Sequence, residues 1–333
     1  MKFLMLTDHS GHSDQNSVYA LTRVLVADQR TESVFVASRA DVRNQAFFAG
    51  NFGASLHGIR ADTNFSYDST GEQFGTGSAT TTYDVADVIW LRLPPPADKG
   101  FFSALARATS GAADPVCINH PNGILETGSK SFLHHFPSLT APVRRLVTPD
   151  DVRSFAAEHP IVLKPLDEYG GRGLVKIMNG IAEAAGRQMP LEEWLEQAEA
   201  EIRTERYLGM KYLKNVHLGD KRILVVNGRI LGASNRLPAA GEWLCNVARG
   251  GTSVAAEVSP EERSMVAEVA PVLLDKGVVI FGVDTLTDDD GRRVLSELNT
   301  NSIGGFPQAE MQSGRPVLQQ TINGIYDYLG NRT

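Results

Sequence analysis

The sequence predicts an α/β protein, with an open sheet at its start followed by strands, hairpins and packed helices. Three observations predict it. An apolar strand (Lys2–Leu6), a polar loop (Thr7–Asn16), a helical stretch (Ser17–Ala27) and a second strand (Val34–Ala37) follow one another. This β-loop-α-β order starts an open α/β sheet, whose ligand crevice lies at the carboxyl ends of its strands. Further on, an apolar strand at Ile161–Leu163 runs through Lys164 into a turn holding Gly170, Gly171 and Gly173, then into a second strand at Leu174–Ile177. Finally, Asn227-Gly228 joins strands Lys221–Val226 and Arg229–Asn235; both residues tolerate positive φ, the requirement of a type I′ hairpin.

With 333 residues the chain has core for two or three domains, and 42% apolar with 21% charged residues is ordinary globular composition. A net charge of −7 argues against nonspecific binding to nucleic acid or anionic membranes. Cys117 and Cys245 lie far apart without His or Cys at ligand spacing, so neither a disulfide framework nor a zinc site is expected. Met1–Leu6 is too short for a signal peptide or a membrane span, and a cytoplasmic location is expected.

Within the N-terminal part, Val18, Leu21 and Leu25 share one helix face. Asn51–Tyr83, rich in Gly, Ser, Thr and Asn, reads as an irregular insertion or a partly mobile loop. Val85–Leu93 and Val116–Asn119 are buried strands, stopped by Pro94–Pro96 and by His120-Pro121-Asn122-Gly123. That Pro-Asn-Gly turn is the expected boundary between a unit over 1–122 and another over 123–333, and a helix begins near Ile124. From Pro142 the order is strand, helix (Pro149–Glu158), strand, turn, strand, then an acidic amphipathic helix (Leu191–Ala200) and a strand (Thr204–Leu208). Pro260–Lys276 is a long helix with Met265, Val266, Val269, Val272 and Leu273 apolar. Val278–Leu286 and Arg293–Leu298 are strands around the turn Asp288–Gly291, and Leu318–Leu329 is the closing helix.

Two clusters point to chemistry. Glycines at 170, 171 and 173 let backbone N–H groups approach a polyphosphate, and Lys164 adds fixed positive charge. The strand–turn–strand context separates this segment from P-loops and dinucleotide fingerprints, which run from a strand into a helix; by itself it better suits an ordinary glycine hairpin with a snorkelling lysine. Asp284 and Glu297 lie on strands paired around the Asp288–Gly291 turn, and Asn299 shares a strand face with Glu297. Such an all-oxygen set suits Mg²⁺, which binds through a few carboxylates plus substrate phosphates. A solvated acidic face is the rival reading.

Taken together the motifs I-V-L-K-P-L-D-E-Y-G-G-R-G, H-L-G-D-K-R-I-L-V-V-N-G, A-S-N-R-L-P, F-G-V-D-T-L and S-E-L-N-T-N-S resemble the ATP-grasp superfamily, and within it the bacterial glutathione synthetase family. Weaker echoes are D-V-I-W-L-R-L-P-P-P and C-I-N-H-P-N-G-I; the likeness spans most of Val85 to Leu329. The resemblance implies an ATP-grasp fold preceded by an open α/β (pre-ATP-grasp) domain, with a small lid unit at about 142–205. It implies ATP and Mg²⁺ (Mn²⁺ as the alternative ion), and small-molecule carboxylate and amine substrates; a homo-oligomer is left open. Lys130 and Lys164 look like the lysines on the nucleotide phosphates, and Gly170, Gly171, Arg172 and Gly173 like the loop that covers them. Glu205, Tyr207 and Leu208 resemble the adenine hinge, Asp220 a nucleotide-contacting acid, and Arg222 a conformational anchor. Asp284, Glu297 and Asn299 match the magnesium ligands, and Arg236 matches the arginine holding an acyl phosphate. Arg92, Asn246, Arg249, Ser302 and Gly304 are the expected substrate contacts. These roles have structural rivals: Tyr207 and Leu208 suit a strand core, Asp220 a turn cap, Arg222 a surface strand and Lys130 a helix face; Arg236, after a strand and before Pro238 and a glycine turn, is the exception.

Departures from the family pattern concentrate in Gly241–Asn246. There Leu244 and Cys245 stand where an arginine and a glycine are usual, leaving Arg249 as a spatial substitute. The implied reaction is ATP-dependent ligation through an acyl phosphate, γ-glutamylcysteine plus glycine giving glutathione. A ligase for another amino acid or peptide pair, a ligase acting on a protein's glutamate terminus, and a nucleotide-binding regulator remain open.

Overall fold

The apolar start of the chain forms β1 (Lys2–Thr7), next to the centre of a six-stranded sheet. In the computed structural model, residues 1–239 and 252–331 are described. α1 (Ser17–Ala27) begins where the Asn16 side chain accepts the Val18 N–H at 2.9 Å, and it leads to β2 (Ser33–Ser38), parallel to β1. α2 (Gln45–Phe48), β3 (Leu56–Arg60), α3 (Glu72–Thr76) and β4 (Ala79–Thr81) follow, then β5 (Val88–Arg92), α4 (Lys99–Ala108) and β6 (Val116–Ile118). The sheet order is β4-β3-β2-β1-β5-β6, with β2, β1, β5 and β6 parallel and β3 and β4 added antiparallel.

The segment 51–83 is therefore not an irregular insertion; it extends the sheet and buries Phe65 and Phe74. Its strand pattern is masked by Gly58, which must be small because a Cβ there would lie 2.2 Å from the Val36 carbonyl oxygen. Pro121-Asn122-Gly123 is likewise not a turn. It opens α5 (Pro121–Thr127), with Pro121 in the first helical turn, where its missing N–H costs nothing.

The second sheet is antiparallel throughout. β7 (Val143–Arg145) leads through α6 (Pro149–Glu158), whose capping box joins Thr148 and Asp151, to β8 (Ile161–Pro165). β9 (Val175–Met178), β10 (Ile181–Ala184), β11 (Arg187–Pro190), α7 (Leu191–Arg203) and β12 (Tyr207–Lys211) complete the order β11-β10-β9-β8-β12-β7.

The third sheet has the order β15-β14-β13-β16-β17, also antiparallel. It comprises β13 (Asp220–Val226), β14 (Arg229–Leu237), β15 (Thr252–Ala255), then after α8 (Pro260–Asp275), β16 (Ile280–Thr287) and β17 (Arg293–Asn299). Asn227 at φ 48° and Gly228 at φ 73° make the expected hairpin between β13 and β14. α9 (Phe306–Ser313) and α10 (Val317–Gly330) close the chain.

One core lies between the first sheet, α1, α9, α10 and one face of the third sheet, holding Phe3, Val18, Leu224, Phe306 and Ile322. Another packs α8 and β12 with further residues of the third sheet, including Val269, Leu208, Ile223 and Phe281. Asn119 ties the two sheets: its Oδ1 accepts the Val279 and Ile280 N–H groups at 2.8 Å, and its Nδ2 donates to the Ile280 and Thr300 carbonyls at 2.6 and 2.8 Å. Among the described residues, no helix is long and apolar enough to cross a membrane.

Candidate active site

Strand register sets a row of charges across the third sheet. Arg222 on β13 pairs with Asp284 on β16, which pairs with Glu297 on β17. Asp220 and Arg236 are partners on β13 and β14, and Asp220 lies two residues before Arg222 on the same face. A bulge between Asp284 and Thr285 leaves Ser296 unpaired; its hydroxyl donates to the Asp284 carbonyl at 3.1 Å, and its carbonyl accepts from Lys164 Nζ at 3.2 Å.

The side chains interlock. Arg222 grips Asp284 bidentately, Nε and NH2 donating at 2.6 Å each. Arg236 NH2 donates to Asp284 Oδ2 at 2.7 Å and to Asp220 Oδ2 at 2.5 Å, and the Asn299 amide donates to Asp284 Oδ2 at 3.1 Å. Burial pushes the Asp284 carboxyl up, but Arg222 and Arg236 outweigh it and bring it down to about 2. Burial dominates at Asp220, where Asp284 adds repulsion against the pull of Arg236, and its carboxyl is pushed up to about 6. Burial also works against the Arg236 charge, yet Asp284 and Asp220 hold it more firmly protonated than an ordinary arginine.

This row floors a cavity of about 410 Å³. Its roof is Val162 and Lys164 of β8 with the glycine loop from Glu168 to Arg172; Gly170, Gly171 and Gly173 all have positive φ. Lys130 enters from the side, its ammonium donating to the Glu168 carbonyl. Burial lowers its pKa, Glu297 counteracts this and Lys164 adds to it. Met210, Lys211, Tyr212 and Leu213 form the back wall, and Pro95 with Asn301, Ser302, Ile303 and Gly304 closes the far end. Arg92 stands behind that end, buried, NH2 donating to the Ile303 carbonyl at 2.7 Å and Nε without a partner among the described residues. Burial lowers its pKa to about 10.

Lys130, Lys164, Gly170, Gly171, Arg172, Asp220, Arg222, Arg236, Asp284, Glu297, Asn299, Ser302 and Gly304 thus converge on one cavity. Gly173 ends the loop beside Pro165, off the cavity wall. Glu205, Tyr207 and Leu208 are elsewhere. Tyr207 is buried edge-on to Trp194, its hydroxyl donating to Glu201 at 2.5 Å. Leu208 sits in the core beneath α8, and Glu205 accepts from Arg145 Nε at 2.6 Å. α7 runs to Arg203 and not Ala200, β12 begins at Tyr207 and not Thr204, and the residues of this stretch that line the cavity are Met210–Leu213. Buried Trp194, Leu195, Ala198 and Ile202 carry the helical spacing through that end, a signal present in the sequence. Asn246 and Arg249 lie outside the described residues.

The acids suit a hard cation. Among the described residues no three His, Cys, Asp or Glu side chains cluster as metal ligands, so Asp284 and Glu297 would be supplemented by the Asn299 amide and by phosphate oxygens. Glu297 lines the cavity without a hydrogen bond or ion pair to the described residues, leaving its oxygens available.

A glycine loop and lysines facing a carboxylate row across a cleft between two antiparallel sheets define an ATP-grasp ligase. The D-cycloserine synthetase DcsG shares the fold at TM-score 0.63, with 14% identity over 97% of this chain and 98% of that one. The macrocyclase MdnB from Microcystis aeruginosa MRC does so at 0.60, with 14% identity over 99% of each. The family described as prokaryotic glutathione synthetase, ATP-grasp domain, matches residues 129–314. The glutathione synthetase of Prochlorococcus marinus (strain MIT 9313) is 34% identical over 73% of this chain and 75% of its own length; that of Pseudomonas aeruginosa PAO1 is 33% identical over 65% of each. The chain belongs to the prokaryotic glutathione synthetase family of ATP-grasp proteins. It is an ATP-dependent ligase forming C–N bonds, of glutathione synthetase type.

Proposed function

We propose that the chain joins γ-glutamylcysteine to glycine at the expense of ATP, with Mg²⁺ as the metal cofactor. The observation that carries this reading is the convergence of Lys130, Lys164 and the glycine loop on one wall with Arg222, Arg236, Asp284 and Glu297 on the other. ATP lies between the two antiparallel sheets, its base against Met210–Leu213 and its phosphates under the loop. The donor carboxylate lies toward Arg92, Asn301 and Ser302, where Arg92 Nε and both polar atoms of the Asn301 side chain lack partners among the described residues. Residues 123–333 form the nucleotide-binding unit and 1–122 contribute Arg92. A cytoplasmic location agrees with the free, buried Cys117 thiol.

The donor carboxylate oxygen attacks the γ-phosphorus, the bond to the β-phosphate bridging oxygen breaks, and an acyl phosphate and ADP form. Lys130 and Lys164 neutralise the phosphate oxygens, and Arg236 swings from its carboxylate partners onto the transferred group. Asp284, Glu297 and Asn299 would hold Mg²⁺, which when bound supplies charge neutralisation between the phosphates. The glycine amine then attacks the acyl carbon, inorganic phosphate leaves, and the amine proton passes to solvent or phosphate. The loop excludes water, which would otherwise hydrolyse the acyl phosphate.

Phosphate release from Mg²⁺-ATP, measured with a panel of carboxylate and amine pairs, tests this. Release that requires both γ-glutamylcysteine and glycine supports it. Release with another pair supports the second reading, a ligase of different substrates, which Leu244 and Cys245 favour. ATP binding without release under every pair defeats both.

A further inference from the structure

One side chain of the glycine loop reaches across the cavity edge. Tyr169 Oη donates to the Gly128 carbonyl at 3.3 Å, and the Lys130 ammonium lies 5.0 Å from the Tyr169 ring centroid while donating to the adjacent Glu168 carbonyl. Both anchor points belong to the stretch Gly128–Lys130, between α5 and the short 3-10 helix Lys130–His135. That stretch is fastened to the end of α5, the Gly128 N–H donating to the Ile124 carbonyl at 2.8 Å. The loop itself has three glycines at positive φ, and its Glu168–Arg172 ion pair is internal and exposed.

We propose that Tyr169 is the pin that holds the glycine loop closed and sets the Lys130 ammonium over the cavity, which makes it a positioning residue for both. The inference rests on the reading that nucleotide phosphates lie beneath the loop. A carboxylate in this place would neutralise Lys130 and compete with phosphate. A ring face and a carbonyl orient the ammonium and leave its charge and its remaining N–H donors for the ligand. Because the same contacts close the loop and place the lysine, opening the loop releases Lys130 as well.

Trypsin cleavage after the exposed Arg172, located by mass spectrometry, reads the loop directly. The unsubstituted chain, Tyr169→Phe and Tyr169→Leu are compared with and without a non-hydrolysable ATP analogue. Without nucleotide, Tyr169→Phe is cut about threefold faster for loss of one hydrogen bond, and Tyr169→Leu about tenfold faster for loss of the ring as well. In turnover, Tyr169→Leu raises the KM for ATP and releases phosphate in excess of amide formed, a split that general destabilisation does not produce. Equal cleavage of all three chains without nucleotide overturns the proposal; if Tyr169→Leu does not fold, the Tyr169→Phe comparison decides alone. Failure of the analogue to slow cleavage in the unsubstituted chain counts instead against the nucleotide reading of the cavity.

Discussion

Arg236 is shared between two carboxylates, Asp220 and Asp284, and this sharing sets what its removal does. Arg236→Ala removes the donor proposed for the transferred phosphoryl group and leaves half-buried Asp220 and buried Asp284 facing each other. Turnover should fall by about a hundredfold to a thousandfold, the usual cost of losing one transition-state donor. Glu297→Ala should fall as far; a near-normal rate of phosphate release in either variant would place the chemistry elsewhere. A second residue-scale expectation concerns His12. Thr7 Oγ1 donates to the Arg92 carbonyl at 3.3 Å, so His12 Nε2 donates to Thr7 at 2.9 Å and its Nδ1 accepts the Tyr19 hydroxyl at 2.8 Å. Burial, then the neighbouring His9, lowers its pKa from 6.5 to about 4, with Asp8 opposing and Arg92 assisting. Between those values the unfolded chain binds a proton that the folded chain refuses. This contribution is therefore complete above about pH 6.5 and is lost as pH falls toward 4. Urea midpoints of the unsubstituted chain should drop across that window, and His12→Gln should flatten the drop.

At the scale of elements, the site depends on how strands and helices are fastened beneath it. Glu262, in the first turn of α8, is fully buried. It takes Lys221 Nζ at 2.7 Å, Arg293 Nε at 2.9 Å and the Thr285 hydroxyl at 2.7 Å, binding α8 to β13, β16 and β17. Glu262→Ala strands two cations and should cost about 3–5 kcal/mol in denaturant unfolding, the range for breaking a buried pair. Loss of under 1 kcal/mol would mean that the network carries little. These fastenings also show what a sequence can reveal. Hairpin glycines, the Asp284–Glu297 pairing and the Asn227-Gly228 turn follow from period-two alternation and turn chemistry, so the floor of the site was legible. The wall proposed for adenine was not, because the sequence does not show where α7 stops or where β12 begins: Glu205, Tyr207 and Leu208 lie off the cavity, and Met210–Leu213 line it. The antiparallel strands β3 and β4 were hidden for a related reason: Gly58 interrupts the alternation in order to let β2 approach. The salt links of Glu262 and Asp284 lie between residues far apart in the chain and have no local signature.

For the molecule as a whole, Asn119 is the joint. Its four hydrogen bonds reach residues 160 to 181 positions away and hold the first sheet, which carries Arg92, against the third, which carries the charge row. Asn119→Ala should lower stability by about 3 kcal/mol or more, since it leaves several buried backbone groups unpaired. It should also raise the KM for the donor carboxylate more than that for ATP, because only the former would bridge the two sheets. Equal effects on both substrates would place the donor away from the joint.

The closing helix gives the first sheet a long wait during synthesis. α10 packs into the same core as β1, β2 and α1, with the Tyr326 ring edge-on to Phe3 at 5.9 Å and Arg30 over it at 4.1 Å. The strands of that sheet emerge from the ribosome roughly 200 (β6) to 310 (β1) residues before the helix that covers them. At about 5–20 residues per second, their apolar face stays open for at least ten seconds. The nascent chain is thus most vulnerable to aggregation before its last helix is made, and a chaperone that binds early strands would have its longest engagement here.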